Sequence, residues 1–438
     1  MNISVFGLGK LGATMVACFA YKGWNVIGVD VNEAPIQALN CGQSPISEPG
    51  VSELIKANRS LIRATTDAEE AILNSGASFI IVPTPSKDDG SFSTEYVMTA
   101  IEKIGKALRK SKNYHLVVVT STVLPGDMIE IQNRLEEASD RKVGDGYGLC
   151  YNPEFIALGR IIKDFLNPDI VLIGQSDEKA GACLKDIHKN LVENKPEIIQ
   201  TNFYNAELIK ISINTYCVMK INFANTLAEI CENMPRGDAH LITYAMGSDS
   251  RIGRKYFKPG LSVAGPCFPR DGRAFIQSAS RFHVNALMAA ATDEMNNYQK
   301  ERIVDKIIGD LKPGMIVSIL GLAYKEDTGV IEESVAIYVA QRLLDEKHFI
   351  SIYDPSSQAV DAAMSVLSGG VVVRASSIEE CLKDSSYCFI ATPWDEFKNL
   401  KPENFSSMKN PVVLDAWNLL TFASDSGIQV KKIGVNSI

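Results

Sequence analysis

Histidine is scarce in this chain: five residues, at 115, 188, 240, 283 and 348, with no spacing that would bring several of them to one metal ion. The nine cysteines are odd in number and contain no C-x-x-C pair, which argues against both a zinc ribbon and a disulfide framework. There is no basic cluster, and the net charge is -8, so a nucleic-acid partner is not expected. No apolar run approaches the roughly 18 residues that span a bilayer, and no signal peptide is recognisable. The expectation is a reduced, cytoplasmic protein without metal, membrane segment or nucleic-acid partner.

The rest of the composition is ordinary, with 46% hydrophobic and 22% charged residues over 438 positions, enough for two or three domains. The informative features are local. An apolar run from Met1 to Phe6 is followed at once by Gly7-Leu8-Gly9-Lys10-Leu11-Gly12 and an amphipathic helix through Tyr21. A second strand, 25–29, ends in Asp30. A strand, a G-x-G-x-x-G turn, a helix and a strand closed by an acid form the dinucleotide-binding fingerprint. Gly7 permits the turn, Gly9 lets the backbone approach a pyrophosphate, and Gly12 lets helix pack on strand. Asp30 would bind the adenosine ribose and repel a 2′-phosphate, which favours NAD over NADP.

Strands at 79–82, 116–119 and 147–151 continue the alternation of a doubly wound parallel sheet. They run into Pro83-Thr84-Pro85, Thr120-Ser121-Thr122 and Asn152-Pro153-Glu154-Phe155. Loops at the carboxyl ends of strands line the ligand crevice in open sheets of this kind. Thr84 and Thr122 are therefore placed to meet the cofactor or a catalytic water, or else simply to cap turns. Glu154 belongs to the same crevice.

From 204 to 233 the apolar residues recur at helical spacing without proline, which predicts a long spine helix buried on most sides. Lys210 and Asn214 share one face of it; the lysine either snorkels to solvent or is aimed with the amide at negative charge on an oxygen. Further on, Gly265, Pro266 and Pro269 crowd Cys267, which predicts a rigid non-helical loop over 261–272. A thiol there is placed as a nucleophile, with the Arg270 cation favouring its thiolate, or is a small buried hydrophobe. Tyr256 and Phe257, flanked by basic residues, suit a flat ring with phosphates, or a hydrophobic anchor. After a linker at Lys312-Pro313-Gly314, strands at 315–320 and 349–353 with Asp354 repeat the opening plan without the full glycine set. Further strands are expected at 389–392 and 412–415. The fold class read from this is α/β, with two Rossmann-like parallel-sheet domains, 1–200 and 299–438, joined by a helical domain, 201–298.

Over essentially its whole length the chain resembles the nucleotide-sugar 6-dehydrogenases, and most closely their UDP-glucose branch. The resemblance rests on the fingerprint with Val29-Asp30, Leu39-Asn-x-Gly-x-x-Pro-Ile-x-Glu48, Val82-Pro-Thr-Pro85, Ser121-Thr-Val123, Asn152-Pro-Glu-Phe155, Lys210 with Asn214, Arg251-Ile-Gly253, the Cys-Phe-Pro-x-Asp run and Gly321-Leu-Ala-Tyr-Lys325. It implies oxidation of a sugar primary alcohol to a carboxylate with two NAD. Cys267 would capture the aldehyde as a thiohemiacetal, which a second oxidation converts to a thioester. It further implies that Lys210 and Asn214 stabilise oxyanions, that Asp271 and Thr122 handle protons through a water, and that Glu154 assists thioester hydrolysis. Thr84, Thr122 and Arg270 join the glycine turn and Asp30 in holding NAD. Phe155, Lys210, Asn214, Arg251, Tyr256, Phe257, Gly265 and Lys325 would meet the substrate, and a homodimer through the central helix is implied. The chain departs from the family pattern at Leu158, Ile170, Ala264, Pro266, Arg270, Glu332 and Ala416-Trp417, where charged or small residues are usual, and this points to an altered substrate. Two alternatives remain open: a one-step hydroxyacid-type dehydrogenase that does not use Cys267, and a non-catalytic binding protein.

Overall fold

The computed structural model describes residues 1–422 and 426–436. The chain forms two compact units, Met1–Ser212 and Ile213–Ile438, and the division falls inside a single helix, Phe203–Asn233.

The first unit is built on eight strands: β1 (Ile3–Phe6), β2 (Val26–Val29), β3 (Ile62–Thr65), β4 (Ala77–Ile80), β5 (His115–Val119), β6 (Tyr147–Tyr151), β7 (Ile170–Gln175) and β8 (Glu197–Thr201). Their spatial order is β3-β2-β1-β4-β5-β6-β7-β8. Neighbours run parallel except at β6–β7, which is antiparallel. β1, β2, β4, β5 and β6 are buried at every position, as expected of strands covered on both faces. Helices α1 (Lys10–Tyr21), α2 (Asp127–Ser139), α3 (Ile161–Leu166) and α4 (Glu178–Leu191) belong to this unit. The strand order reverses between β1 and β4, so the ends of those strands define the ligand crevice.

The second unit contains a six-stranded sheet: β9 (Ile316–Leu320), β10 (Phe349–Tyr353), β11 (Val372–Arg374), β12 (Tyr387–Ile390), β13 (Val412–Asp415) and β14 (Gln429–Lys432). Its order, β11-β10-β9-β12-β13-β14, repeats that of the first sheet, and all its pairs are parallel. The expected second Rossmann-like domain is therefore present. Its acid has a different job. Asp354 is buried and accepts from Leu322 N at 2.6 Å, Ala323 N at 3.1 Å, Ser356 N at 2.8 Å and Trp394 Nε1 at 3.2 Å. The carboxylate is saturated by three backbone amides and an indole, and the next helix begins only at Val335, so this turn lacks the open amides of a dinucleotide site.

The spine helix, α5 (Phe203–Asn233), forms as expected over 31 residues. It is not buried on most sides within one chain: Tyr216, Phe223 and Ile230 recur every seven residues on one face, and Phe223 is 53% exposed. The loop expected over 261–272 also needs correction. Helix α6 (Phe268–Arg281) begins inside it, with Cys267 as its N-cap residue. Pro269 does not prevent this, because the first-turn amides of a helix have no intrahelical acceptor to lose. Helix α7 (Leu287–Ile308) follows.

Candidate active site

In the first unit the glycine turn has the geometry its sequence requires. Gly7 has φ +97°, and a Cβ at Gly12 would lie 1.8 Å from Gly7 O, so neither position accepts a side chain. Gly9 behaves differently: a Cβ there would meet nothing within 4 Å. That open space above the N-terminus of α1 is where a pyrophosphate approaches the backbone, so these residues fit a bound dinucleotide. Asp30 closes β2 and accepts from Leu8 N at 2.7 Å and Asn32 N at 2.9 Å, which fixes its carboxylate beside the turn.

Around the crevice, Ser121 ties two loops together. Its Oγ accepts from Val82 N at 2.9 Å and donates to Val82 O at 2.7 Å, fixing the Thr84 and Thr122 segments. Thr84 is buried and Thr122 half-buried. The Asn152–Phe155 turn is anchored from behind. Burial pushes His188 on α4 down to about 4, so its ring is neutral and Nε2–H donates to Asn152 Oδ1 at 2.8 Å, while Asn152 Nδ2 donates to Leu172 O at 3.0 Å. Glu48 accepts from Gly159 N and Ile161 N, both at 3.1 Å, holding the chain into α3.

Lys210 does not snorkel. It is 7% exposed, donates from Nζ to Glu154 O at 2.8 Å and lies 4.9 Å over the Phe155 ring. A buried ammonium with one carbonyl acceptor retains donors for another oxygen. Burial pushes the Glu154 carboxyl up to about 7, and the positive charge of Lys210 offsets part of that rise. A carboxyl that titrates near neutrality is matched to general acid–base work.

In the second unit, Cys267 is exposed at the N-terminus of α6, where the helix dipole favours an anion such as a thiolate. Asp271, one turn on, is buried and accepts from Asn214 Nδ2 at 2.7 Å; its backbone N donates to Cys267 O at 2.8 Å. Arg270 reaches back to Asp271, with its Nη2 at 3.3 Å from Oδ1. The cation expected beside the thiol is thus engaged with the acid.

A cavity of about 320 Å³ in this unit is lined by Tyr256, Lys258, Tyr324, Lys325 and Trp417, among others. Of the substrate residues expected from sequence, Tyr256 and Lys325 line it. Phe257 does not: it is buried and stacks on Phe223 at 6.2 Å, so it is the hydrophobic anchor. Gly265 supports the wall, with φ +88°, since a Cβ there would lie 2.6 Å from the Tyr324 ring, and its N donates to Glu332 O at 3.0 Å. Arg251 is exposed and paired with Asp249 at 2.6 Å. Lys258, Trp417 and Ser262 were not among the residues expected at the site. Trp417 stands where the resemblance leads one to expect arginine; its Nε1 donates to Ala391 O at 2.9 Å, which leaves an apolar indole face in place of a cation. Among the described residues no group of three or more histidine, cysteine or acidic side chains could hold a metal, and no described helix is long and apolar enough to cross a membrane.

Three models of the UDP-glucose/GDP-mannose dehydrogenase family match in succession: the NAD binding domain over residues 1–192, the central domain over 204–298 and the UDP binding domain over 318–422. A UDP-glucose 6-dehydrogenase of Haloferax volcanii is 37% identical over 428 residues, covering 96% of this chain and 97% of its own. A UDP-glucose dehydrogenase of Pyrobaculum islandicum superposes with a TM-score of 0.87 at 31% identity, covering 98% of this chain and 96% of its own. The UDP-N-acetyl-mannosamine dehydrogenase of Staphylococcus aureus gives a TM-score of 0.79 at 28% identity, with 99% of both chains covered.

Proposed function

Because this chain belongs to the UDP-glucose/GDP-mannose dehydrogenase family, with NAD as its cofactor, we propose that it oxidises the primary alcohol of a nucleotide sugar to a carboxylate in two steps, with the intermediate held on Cys267. The substrate proposed is a nucleotide sugar of the UDP-glucose type, since the Haloferax and Pyrobaculum relatives are named for UDP-glucose. The observation that carries the reading is the exposed Cys267 thiol at a helix N-terminus, one turn before a buried aspartate that holds Asn214.

NAD, when bound, accepts a hydride from the same substrate carbon in each step. The protein's own groups supply the rest. In the first oxidation the alcohol proton passes through a water to Asp271 as the hydride leaves carbon, and Lys210 and Asn214 donate to the oxygen as negative charge gathers on it. The Cys267 thiolate then forms a C–S bond to the aldehyde carbon as the C=O π bond breaks, and Asp271 returns the proton, through the same water, to that oxygen. This thiohemiacetal keeps a hydrogen on carbon and can lose it as hydride, with the hydroxyl proton passing to Asp271, to give a thioester. Water adds to the thioester, Glu154 takes a proton from that water, and the C–S bond breaks to release the acid and restore the thiol.

The Glu154 step has a pH signature. Its carboxyl is protonated below about 7, and only the deprotonated form accepts the proton from water. Thioester hydrolysis is therefore expected to rise about tenfold per pH unit below neutrality and to level off above it. In Glu154→Gln that limb should disappear and the rate should be low throughout. Stopped-flow measurement of acid release from the acyl-enzyme checks this; an unchanged limb in the variant would remove Glu154 from the hydrolysis step.

A homodimer through α5 is part of the same proposal. Tyr216, Phe223 and Ile230 form an exposed apolar stripe of a kind that monomers seldom leave open to water. Phe223→Glu should convert a dimer into monomers by light scattering. A wild-type protein that is monomeric at micromolar concentration would contradict it.

A further inference from the structure

Glu333 stands just before helix α8 (Val335–Asp345), whose N-cap residue is Ser334, and its backbone is left-handed, with φ +54°. A residue with a Cβ holds that conformation only where its surroundings impose it. Here they do. The Glu333 carboxylate accepts from Lys300 Nζ on α7 at 2.8 Å, and from Arg273 Nη1 and Nη2 on α6 at 3.3 and 3.2 Å. Lys300 is itself buried, so its pair with Glu333 is less screened than one exposed to water. On either side of Glu333 the chain is tied as well: Glu332 O accepts from Gly265 N at 3.0 Å, and Ser334 Oγ donates to Leu322 O at 2.7 Å.

These contacts bracket the nucleophile. Gly265 comes just before Cys267, and Arg273 lies on the helix that Cys267 opens. Glu332 and Glu333 thus grip the chain on both sides of the thiol, from a segment of the second sheet domain. We propose that Glu333 is a positioning residue, whose ion pairs hold the N-terminus of α6, and with it the Cys267 thiol, in register with the aldehyde carbon. The inference rests on the two-step reading of Cys267. C–S bond formation is sensitive to placement, since a displacement of about 1 Å can cost about 10²-fold in rate. Loss of the Glu333 charge loosens the thiol without removing it. The first oxidation then proceeds, and the aldehyde it makes meets a nucleophile that is out of place.

How each turnover ends tests this. Full-length protein, NAD and UDP-glucose, or whichever nucleotide sugar the wild type oxidises, would be mixed with semicarbazide, which traps free aldehyde. Acid, trapped aldehyde and NADH are then counted. Wild type should give acid and almost no trapped aldehyde. Glu333→Gln keeps the shape and removes the charge; it should lower acid formation by about 10- to 100-fold and end most turnovers in trapped aldehyde. Its affinities for NAD and the sugar, by calorimetric titration, should stay within about twofold of wild type. Glu333→Asp keeps the charge and suits the left-handed backbone, so it should move the ratio of acid to aldehyde back toward wild type. That ratio does not depend on how much of the protein is folded, so a role in stability alone leaves it unmoved. If Glu333→Gln does not fold, Arg273→Gln, at an exposed side chain on the cysteine's own helix, should shift the ratio in the same direction. A wild-type ratio in these variants, whether or not the rate falls, would overturn the assignment of Glu333. A wild-type protein that makes one NADH per substrate, or none with any nucleotide sugar, would instead overturn the two-step reading itself.

Discussion

Cys267→Ser should abolish acid formation, lowering turnover by at least about 10³-fold, while NAD and substrate still bind. The serine hydroxyl is nearly isosteric with the thiol but is not ionised near neutral pH, so neither the helix N-terminus nor the surrounding polar groups turn it into an anion. Without C–S bond formation the aldehyde is not converted into a species that readily gives up a second hydride. The variant should therefore produce at most one NADH per substrate molecule, and then stop or release aldehyde. The expected pattern is a loss of the second oxidation with the first retained. A variant that still makes the acid at more than about a tenth of the wild-type rate would leave the thiol without a covalent role.

The second large effect is expected at Lys210. Its ammonium is buried, and the structure gives it a carbonyl acceptor, Glu154 O, and an aromatic face, Phe155. Both fix its position without neutralising its charge. Replacement by methionine keeps the aliphatic volume and removes the donor, and should lower kcat by about 10²- to 10³-fold with little change in KM, the signature of an interaction made mainly in the transition state. Arginine should not rescue it, because a planar guanidinium does not fit a site shaped for a compact point charge. If the methionine variant instead raises KM and leaves kcat alone, Lys210 serves binding and not the oxyanion.

The parts of this molecule that were legible in its sequence are those whose causes are local. The Gly7–Gly12 turn, the acid that closes β2 and the repeated strand–turn–strand plan each follow from glycine sterics and runs of branched apolar residues, and the structure has them. The β6 and β13 boundaries agree residue for residue with the apolar runs. What the sequence hid depends on partners far away along the chain. Whether Lys210 snorkels or turns inward is decided by Glu154 and Phe155, more than fifty residues earlier. The helical start at Phe268 was obscured because Pro269 reads as a breaker unless the position of the helix N-terminus is already known. β3 and β8 give little signal in the sequence because each is short and partly exposed, with charged or polar residues among its apolar ones. His188, Glu48 and Ser121 carry no motif of their own; their contribution is to hold loops through hydrogen bonds that only the folded chain brings together.

The proposal as a whole turns on how many electrons leave each sugar. Purified protein would be incubated with NAD and UDP-glucose, then with other UDP-, TDP- and GDP-sugars, counting NADH formed against sugar consumed. The account predicts two NADH per sugar, a uronic acid as product, and loss of both the acid and the second NADH in Cys267→Ser. One NADH per substrate, with activity that survives the loss of the Cys267 thiol, would contradict it.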